Sequence, residues 1–221
     1  MTAMLRTDLE RVLDDAVGPR RLLAHRFYRR WEAGTLERHE LAAYAAQYRH
    51  FEAALPEVLD TVVAALPKGR ARRLVEANLA DERGVPAPHV TLFDDFARSV
   101  GAPVSAVSPA TDALVELYRS SAARAPVAGL AAVAAYEVQA PAIAASKAEG
   151  LRARYGLDDV GTFFWDIHAE VDEVHGRWTM EALALLADDA PSVRAPATAA
   201  AEAWWSFLDE RQEAAGILAS C

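Results

Sequence analysis

The sequence predicts an all-α protein, an expectation that rests on three observations. Apolar residues recur at i, i+3 and i+4 over long windows, which places them on one helix face; the clearest run is Leu41, Tyr44, Tyr48, Phe51 and Leu55. No alternating pattern of convincing strand length is present, and no internal repeat. Glycines and prolines separate the periodic segments, as expected where helices end. We therefore expect one helical domain of eight or nine helices over residues 1–221.

The composition excludes several classes of protein. Of the 221 residues, 52% are hydrophobic, which is typical of a globular chain with a sizeable core. A net charge of −9 argues against nucleic acid or an anionic membrane as the main partner. Cys221 is the single cysteine, so we expect neither a disulfide framework nor a thiolate metal cage. Because we find no signal-peptide pattern and no 18-residue apolar span, we expect a cytoplasmic location.

Capping and breaking residues place the helices in order. Thr7 with Glu10 is expected to form a capping box that opens the first helix, and Gly18-Pro19 is expected to end it. Gly34-Thr35 ends the second helix, and the broken stretch 84–88 separates the fourth from the fifth. The expected helices cover about 7–17, 19–31, 37–67, 69–83, 89–100, 109–123, 127–154 and 158–187, followed by a last helix towards the C-terminus.

Prolines within and between these helices predict local distortions. Pro56 is expected to kink or interrupt the third helix, and Pro141 to kink the long helix 127–154. Pro191 and Pro196 are expected to separate the last helix from the one before it. The last helix carries aromatic residues that are candidates to cover the core or to form the face of a homodimer, namely Trp204, Trp205 and Phe207.

The segment 162–178 presents imidazole and carboxylate groups along one stripe of a helix. His168, Asp172 and His175 are spaced by four and three residues, so their side chains lie side by side. A carboxylate and a histidine three residues apart form the pair that helix-bundle di-metal proteins direct into their cores. The alternative is a solvated helix face, on which acids and histidines also occur together.

The segment 127–145 is apolar on all sides and is therefore expected to form a central helix. Glu137 is its only ionisable acid. A carboxylate buried there is costly unless it is paired, protonated or bound to a metal. Pairing with an arginine is the alternative to a ligand role. The candidate ligands elsewhere in the chain favour the metal.

Glu82 and His89 form the weakest of the candidate pairs. In an uninterrupted helix, seven residues would place them two turns apart on one face. Pro86 and Pro88 forbid a regular helix between them, so their convergence depends on a bend. Alone, the pair indicates little about a metal site.

Together, the three segments supply three carboxylates and three imidazoles. Such mixed sets suit iron or manganese at high coordination number, whereas structural zinc prefers tetrahedral sets with thiolates. Six ligands on separate helices fit two metal ions, Fe/Fe or Fe/Mn. With O2 and a reductant as co-substrates, such a pair indicates an oxidase or oxygenase. The candidate metal ligands are Glu82, His89, Glu137, His168, Asp172 and His175.

The sequence resembles the haem-oxygenase-like di-metal oxidases, through the pattern Glu82-x6-His89, Tyr136-Glu137 and His168-x3-Asp172-x2-His175. The nearest subgroup is that of the Chlamydia protein associating with death domains and its bacterial relatives. The resemblance covers most of the chain and includes His25-Arg26-Phe27-Tyr28, Trp31, Gly34-x-Leu36, Gln47-Tyr48, Pro141-x-Ile143 and Lys147-x-x-Gly150-Leu151. It implies a haem-oxygenase-like helical bundle over residues 1–221.

Members of that subgroup make p-aminobenzoate for folate synthesis without the chorismate route. The resemblance implies that a tyrosine of the protein supplies the ring and a lysine the amino nitrogen, and the matching positions are Tyr28 and Lys147. On one continuous helix, the ten residues from Glu137 to Lys147 would place the lysine near the ligand side. Alternatively, Tyr28 is a core aromatic and Lys147 a lysine that extends to the surface. Further candidates to line the cavity or to pass electrons are Tyr44, Tyr48 and Tyr136.

Two other functions stay open at this point. One is a multi-turnover relative that oxidises an external small molecule, by amine N-oxygenation or by oxidative cleavage of an amino or fatty acid. The other is a metal-free protein of the same fold, as are the thiaminase-like and quinone-cofactor synthases of this superfamily. Six intact ligand positions argue against the metal-free alternative.

Overall fold

Ten α-helices and two short 3-10 turns make up the regular structure of a computed structural model that describes residues 4–84 and 87–218. The described residues contain no strand, which confirms the all-α prediction. Cys221, Val85 and Pro86 lie outside them. The helices are α1 (Arg6–Val17), α2 (Arg26–Ala33), α3 (Arg38–Ala65), α4 (Arg70–Glu82), α5 (His89–Ser99), α6 (Pro109–Arg124), α7 (Pro126–Glu137), α8 (Ala140–Tyr155), α9 (Asp159–Leu186) and α10 (Ala190–Leu218).

The helix α7 is central in the bundle, as its apolar sequence predicts. It packs against α6, α9 and α10, and also touches α1, α3 and α8. By length and hydropathy, the stretch Pro126–Tyr155 would suffice to cross a membrane, so the expectation that no such span exists is wrong. However, 72% of its most apolar window is buried inside the protein. Its hydrophobicity is therefore that of a core element.

The long helix expected over 127–154 is in fact two helices. α7 ends at Glu137 and α8 begins at Ala140. Pro141 takes one of the first positions of α8, where its missing N–H would have no helical partner anyway. Glu137 and Lys147 therefore belong to different helices, and the single-helix argument for the position of Lys147 is wrong.

Gln139 stabilises the break between α7 and α8. Its side-chain oxygen accepts a hydrogen bond from the backbone N–H of Leu22 at 3.0 Å. Its side-chain nitrogen donates to the carbonyl of Ala135 at 2.9 Å. Because Gln139 is only 8% exposed, these bonds satisfy polar groups that would otherwise be buried without partners.

Two prolines disturb the helices less than expected. Pro56 lies inside the continuous helix α3, and Pro196 lies inside α10 rather than before it. Pro191 falls in the first turn of α10, where proline is tolerated. α10 packs against α1, α6 and α7. This packing offsets the one backbone hydrogen bond that Pro196 removes.

The second helix is shorter than the segment 19–31 that was expected. Residues 18–20 and 22–24 form separate 3-10 turns, and α2 begins only at Arg26. The ring of His25 accepts a hydrogen bond from the backbone N–H of Phe27 at 3.0 Å and so caps α2.

The last helix covers the core with one of its faces. Trp204 and Phe207 are no more than 1% exposed. Trp204 stacks on Tyr136 with ring centres 4.6 Å apart, and its indole N–H donates to the hydroxyl of Tyr118 at 2.9 Å. The homodimer face stays a prediction that now concerns the half-buried Trp205.

Candidate metal centre and tyrosine–lysine cluster

Four helices bring the six candidate metal ligands into one buried group, called here the metal cluster. α4, α5 and α7 each pack against α9 and each contributes one of the six residues. The other three lie on α9 itself. None of the six is more than 8% exposed, so the alternative of a solvated helix face does not apply. The members are Glu82, His89, Glu137, His168, Asp172 and His175.

Glu82 lies between two imidazole rings. Its Oε2 is 2.9 Å from Nδ1 of His89, and its Oε1 is 3.6 Å from Nδ1 of His175. The same nitrogen of His175 is 3.6 Å from Oδ1 of Asp172. The end of α4 thus lies next to the start of α5, as the pairing of Glu82 with His89 required. A carboxylate whose two oxygens face different imidazoles is suited to being shared by two metal ions.

Two of the histidines are oriented by a hydrogen bond at one ring nitrogen. Nε2 of His175 lies 2.8 Å from Oδ2 of Asp81, and Nδ1 of His168 lies 2.6 Å from the carbonyl oxygen of Phe164. Each bond occupies one ring nitrogen and leaves the other to bind a cation once that nitrogen carries no proton, as is usual around metal-binding histidines. The sequence places Asp81 beside Glu82, but no pattern in it indicates this contact with His175.

Glu137 pairs with an amide and not with the arginine that was the alternative. Asn78 donates from Nδ2 to Oε1 of Glu137 at 2.9 Å. The other oxygen, Oε2, is buried without a hydrogen-bond partner. Burial raises the pKa of Glu137 to about 7. A nearby cation would favour the carboxylate form again.

The balance of charge inside the metal cluster is negative. Burial by itself would lower the pKa of His175, but the nearby carboxylate of Asp172 and the charges of Glu82 and Glu137 raise it to about 10. Burial would likewise raise the pKa of Glu82, yet the neighbouring imidazoles, His89 first, hold it below its ordinary value. The protein alone therefore balances its buried carboxylates by holding a proton on imidazole.

Four buried side-chain atoms of this region that could bind a metal have no hydrogen-bond partner. They are Glu52 Oε1, Glu82 Oε2, His89 Nδ1 and Glu137 Oε2. Although the atoms of Glu82 and His89 are 2.9 Å apart, they lack the angles of a hydrogen bond. Buried acceptors without partners are costly. All four are carboxylate oxygens or an imidazole nitrogen, which are donors that iron and manganese accept. The residues present therefore fit a metal centre.

Glu52 on α3 is an additional carboxylate that the sequence did not single out. It is 4% exposed, and one of its ligand atoms lies within 4.8 Å of ligand atoms of both His89 and His168. A signal was available in the sequence, because Glu52 follows Tyr48 by four residues and Tyr44 by eight. This spacing places an acid on the apolar face of α3.

Lys147 is buried among the rings of Tyr28, Tyr44 and Trp165, and these four residues are called the lysine cage. Its Nζ is 3.9 Å from the ring centre of Trp165 and 4.6 Å from that of Tyr28. It donates to the hydroxyl of Tyr44 at 2.6 Å, and that hydroxyl lies 2.8 Å from the hydroxyl of Tyr28. Burial lowers the pKa of Lys147 well below its ordinary value. Because Lys147 is 2% exposed, the surface alternative does not apply.

A line of tyrosines connects the lysine cage with the metal cluster. The rings of Tyr44 and Tyr48 are 5.5 Å apart, and the hydroxyls of Tyr48 and Tyr136 are 2.8 Å apart. Tyr48 and Tyr136 line a cavity of about 30 Å3 whose wall also includes Glu52 and five of the six candidate ligands. This volume holds one or two water-sized molecules. The structure thus joins the predicted tyrosines to the predicted ligands in one continuous region.

The model of the iron-containing redox enzyme family matches residues 42–208, and the chain belongs to this family. Membership supports an oxidoreductase. A solved domain with a haem-oxygenase-like fold from Shewanella denitrificans superimposes with a TM-score of 0.82 at 17% identity, covering 98% of this chain and 96% of that one. The fold class and the family resemblance expected from the sequence are confirmed.

Two relatives make the similarity more specific. The 4-aminobenzoate synthase of Nitrosomonas europaea is 33% identical over 216 residues, covering 89% of this chain and 88% of the relative. The 4-aminobenzoate synthase of Chlamydia pneumoniae is 29% identical over 205 residues, covering 89% and 92%. The sequence is thus similar over most of its length to proteins that carry the name 4-aminobenzoate synthase.

Proposed function

We propose that this protein is an O2-dependent oxidase with two non-haem metal ions, Fe/Fe or Fe/Mn, that makes p-aminobenzoate for folate synthesis. In this proposal Tyr28 supplies the ring and Lys147 the amino nitrogen. The observation that carries the proposal is the position of the Lys147 amine, 4.6 Å from the centre of the Tyr28 ring. The two named relatives support the product.

The six residues of the metal cluster would hold the two metal ions through carboxylate oxygens and imidazole nitrogens. Oxidising power would come from O2 and a reductant at this metal pair. Glu82 would help to hold the ions, because its two oxygens face His89 and His175 separately. Asp81 and the carbonyl of Phe164 orient His175 and His168. These contacts fix the direction of the ligand lone pairs.

Lys147 is prepared to act as a nitrogen donor. An amine attacks carbon only when it is uncharged, and burial favours that form by lowering the pKa of Lys147. The hydroxyl of Tyr44 accepts an N–H from Nζ and so fixes the amine beside the ring of Tyr28. The rings of Trp165 and Tyr28 exclude water from its immediate surroundings.

Tyr28 is prepared to lose an electron and a proton together. Burial raises the pKa of Tyr28, so the phenol is neutral before reaction. Its hydroxyl lies 2.8 Å from that of Tyr44, which is a path for the phenolic proton when the ring is oxidised. The tyrosine line through Tyr48 and Tyr136 offers a route for electrons towards the metal cluster.

The size of the inner cavity supports an internal substrate. A volume of about 30 Å3 is far below the roughly 300–1,000 Å3 of pockets that enclose a small-molecule ligand. The alternative, oxidation of an external small molecule, is favoured by a different feature. A surface cavity of about 490 Å3 reaches two of the candidate ligands, Glu137 and Asp172, beside Gly176.

Complementation of a p-aminobenzoate auxotroph tests the proposal. We expect the wild-type chain to restore growth, and Tyr28→Phe and Lys147→Arg to fail. Tyr155→Phe is the matched control, because Tyr155 is a buried tyrosine with one hydrogen bond outside the lysine cage, to the backbone of Leu36. The mass of the purified protein after exposure to O2 and reductant should fall at Tyr28. Product formation with an unchanged Tyr28 would favour the external substrate.

A further inference from the structure

We propose that Glu52 is a seventh protein ligand of the metal centre and that it holds one of the two metal ions together with His89 and His168. This inference rests on the metal centre proposed above. It goes beyond that centre because Glu52 belongs to none of the spacings from which the six candidate ligands were identified. It also lies on a helix, α3, that contributes none of them.

Glu52 is a carboxylate without a partner in a fully buried position. It is 4% exposed, its Oε1 has no hydrogen-bond partner, and no ion pair or hydrogen bond of Glu52 occurs in the described part of the chain. Glu40 on the same helix is equally buried at 5%, but Arg30 donates to both of its oxygens at 2.7 Å. The protein thus neutralises the carboxylate of Glu40 with an arginine and leaves the carboxylate of Glu52 available to a cation.

The position of Glu52 suits a metal that also contacts two of the candidate histidines. One ligand atom each from Glu52, His89 and His168 lies within 4.8 Å of the others. A metal about 2.1 Å from its donors holds opposite donors about 4.2 Å apart. Small rotations of the side chains therefore suffice to bring the three atoms around one ion.

The remaining ligands divide naturally around this trio. Glu82 faces His89 with one oxygen and His175 with the other. His175 is in turn 3.6 Å from Asp172. The second ion would therefore be held by His175, Asp172 and Glu137, with Glu82 shared between the two positions.

Glu52 is also next to the residues that approach from the lysine cage. It lines the same inner cavity as Tyr48 and Tyr136. A metal ion held by Glu52 would therefore lie at the same cavity as the tyrosine line. Among the described residues no hydrogen bond or ion pair joins Lys147 to Glu52, and the Nζ of Lys147 donates to Tyr44.

Binding of Mn(II) to the metal-free full-length protein, followed by electron paramagnetic resonance, tests this inference without relying on activity. We expect the wild type to bind about two Mn(II) per chain. Glu52→Gln should weaken one of the two sites by tenfold or more and leave the other. Glu52→Asp, which keeps the charge on a shorter stem, should recover part of the lost affinity. Glu57→Gln, an exposed position on the same helix, should bind like the wild type.

Thermal unfolding provides a second readout on the same proteins. Without metal, Glu52→Gln should melt at a higher temperature than the wild type, because the unpaired carboxylate is gone. With Mn(II), its gain in melting temperature should be smaller than that of the wild type. Two sites of unchanged affinity in Glu52→Gln would overturn the role of Glu52 and leave the proposed function standing. Fewer than one Mn(II) in the wild type would overturn both.

Discussion

The metal cluster and the lysine cage are neighbouring buried regions, and they differ in whether the protein itself completes the hydrogen bonds of their ionisable groups. In the lysine cage, the amine of Lys147 and the hydroxyls of Tyr28 and Tyr44 are joined by hydrogen bonds of 2.6 and 2.8 Å. In the metal cluster, Glu82, His89 and Glu137 each keep a buried atom without a hydrogen-bond partner. Burial is almost total in both regions.

This difference indicates which region depends on something other than the protein. The lysine cage is organised before any reaction, so changes there should alter product formation and intrinsic stability but not metal content. The metal cluster contains carboxylate and imidazole atoms that have no hydrogen-bond partner within the protein. Changes there should act first on the binding of a cation. The following substitutions test this contrast, from the largest expected effect to the smallest.

Glu82→Gln should produce the largest effect. The variant removes the charge that faces both His89 and His175, and we expect metal affinity to fall at least about 100-fold, which is about 2.7 kcal/mol. Elemental analysis after anaerobic loading with Fe(II) should show less than one metal per chain. Glu76→Gln on the exposed side of α4 is the control. Retention of two metals by Glu82→Gln would show that this carboxylate is not shared between them.

Asp81→Asn should have a smaller effect on the same measurement. Asp81 contacts only the outer nitrogen of His175, and loss of such a contact lowers metal affinity by about 10–100-fold. Isothermal titration with Mn(II) would measure the change. Asp60→Asn, which removes a surface ion pair with Arg83, should leave the affinity unaltered. Equal affinities for Asp81→Asn and the wild type would contradict an orienting role.

Lys147→Met should stabilise the metal-free protein by about 1–3 kcal/mol at pH 6, because a buried amine is replaced by an apolar side chain of similar length. The pKa of Lys147 is lowered in the fold. Below the ordinary lysine pKa, the unfolded wild type therefore binds one more proton than the folded wild type. The free energy of unfolding of the wild type consequently rises with pH, by at most about 1.4 kcal/mol per pH unit. The advantage of the variant should shrink from pH 6 to pH 9.

Urea unfolding at several pH values measures this difference. Lys68→Met at an exposed position is the control and should show no such pH dependence. Metal content of Lys147→Met should equal that of the wild type, since Lys147 is not one of the candidate ligands. A variant less stable than the wild type at every pH would mean that the bond to Tyr44 outweighs the burial of the amine.

Tyr136→Phe should produce the smallest effect. It removes one hydrogen bond, the 2.8 Å contact with Tyr48, and retains the stacking on Trp204. The expected loss of stability is about 1 kcal/mol, with unchanged metal content. Differential scanning calorimetry of the metal-loaded protein would detect it. A large loss of bound metal would instead place Tyr136 among the groups that support the metal cluster.

Features that depend on a single helix could be predicted from the sequence. His168, Asp172 and His175 lie on one continuous helix, so their spacing alone makes them neighbours. The apolar segment around Val133 had to be central, since no face of it could be exposed. The geometry brings the six candidate ligands together, while their role as ligands stays a prediction that the metal measurements test.

Features that depend on contacts between helices could not be predicted. The break after α7 relies on the contact of Gln139 with Leu22, which is distant in the chain. Similarly, the role of Asp81 follows only from the packing of α4 on α9. Glu52 could have been noticed as an acid on an apolar face. Its proximity to His89 and His168 requires knowledge of how α3, α5 and α9 are arranged around the core.

The complete burial of Tyr28 has a consequence for the lifetime of each protein molecule. Its ring packs near those of Phe27, Trp31 and Tyr44, and its exposed fraction is 1%. Loss of a ring of this size from a core costs about 3–5 kcal/mol, out of a total stability of about 5–15 kcal/mol. If Tyr28 is consumed, the spent chain becomes a preferred target of proteolysis. The yield of product would then equal the number of chains synthesised, so translation and not turnover would set the supply.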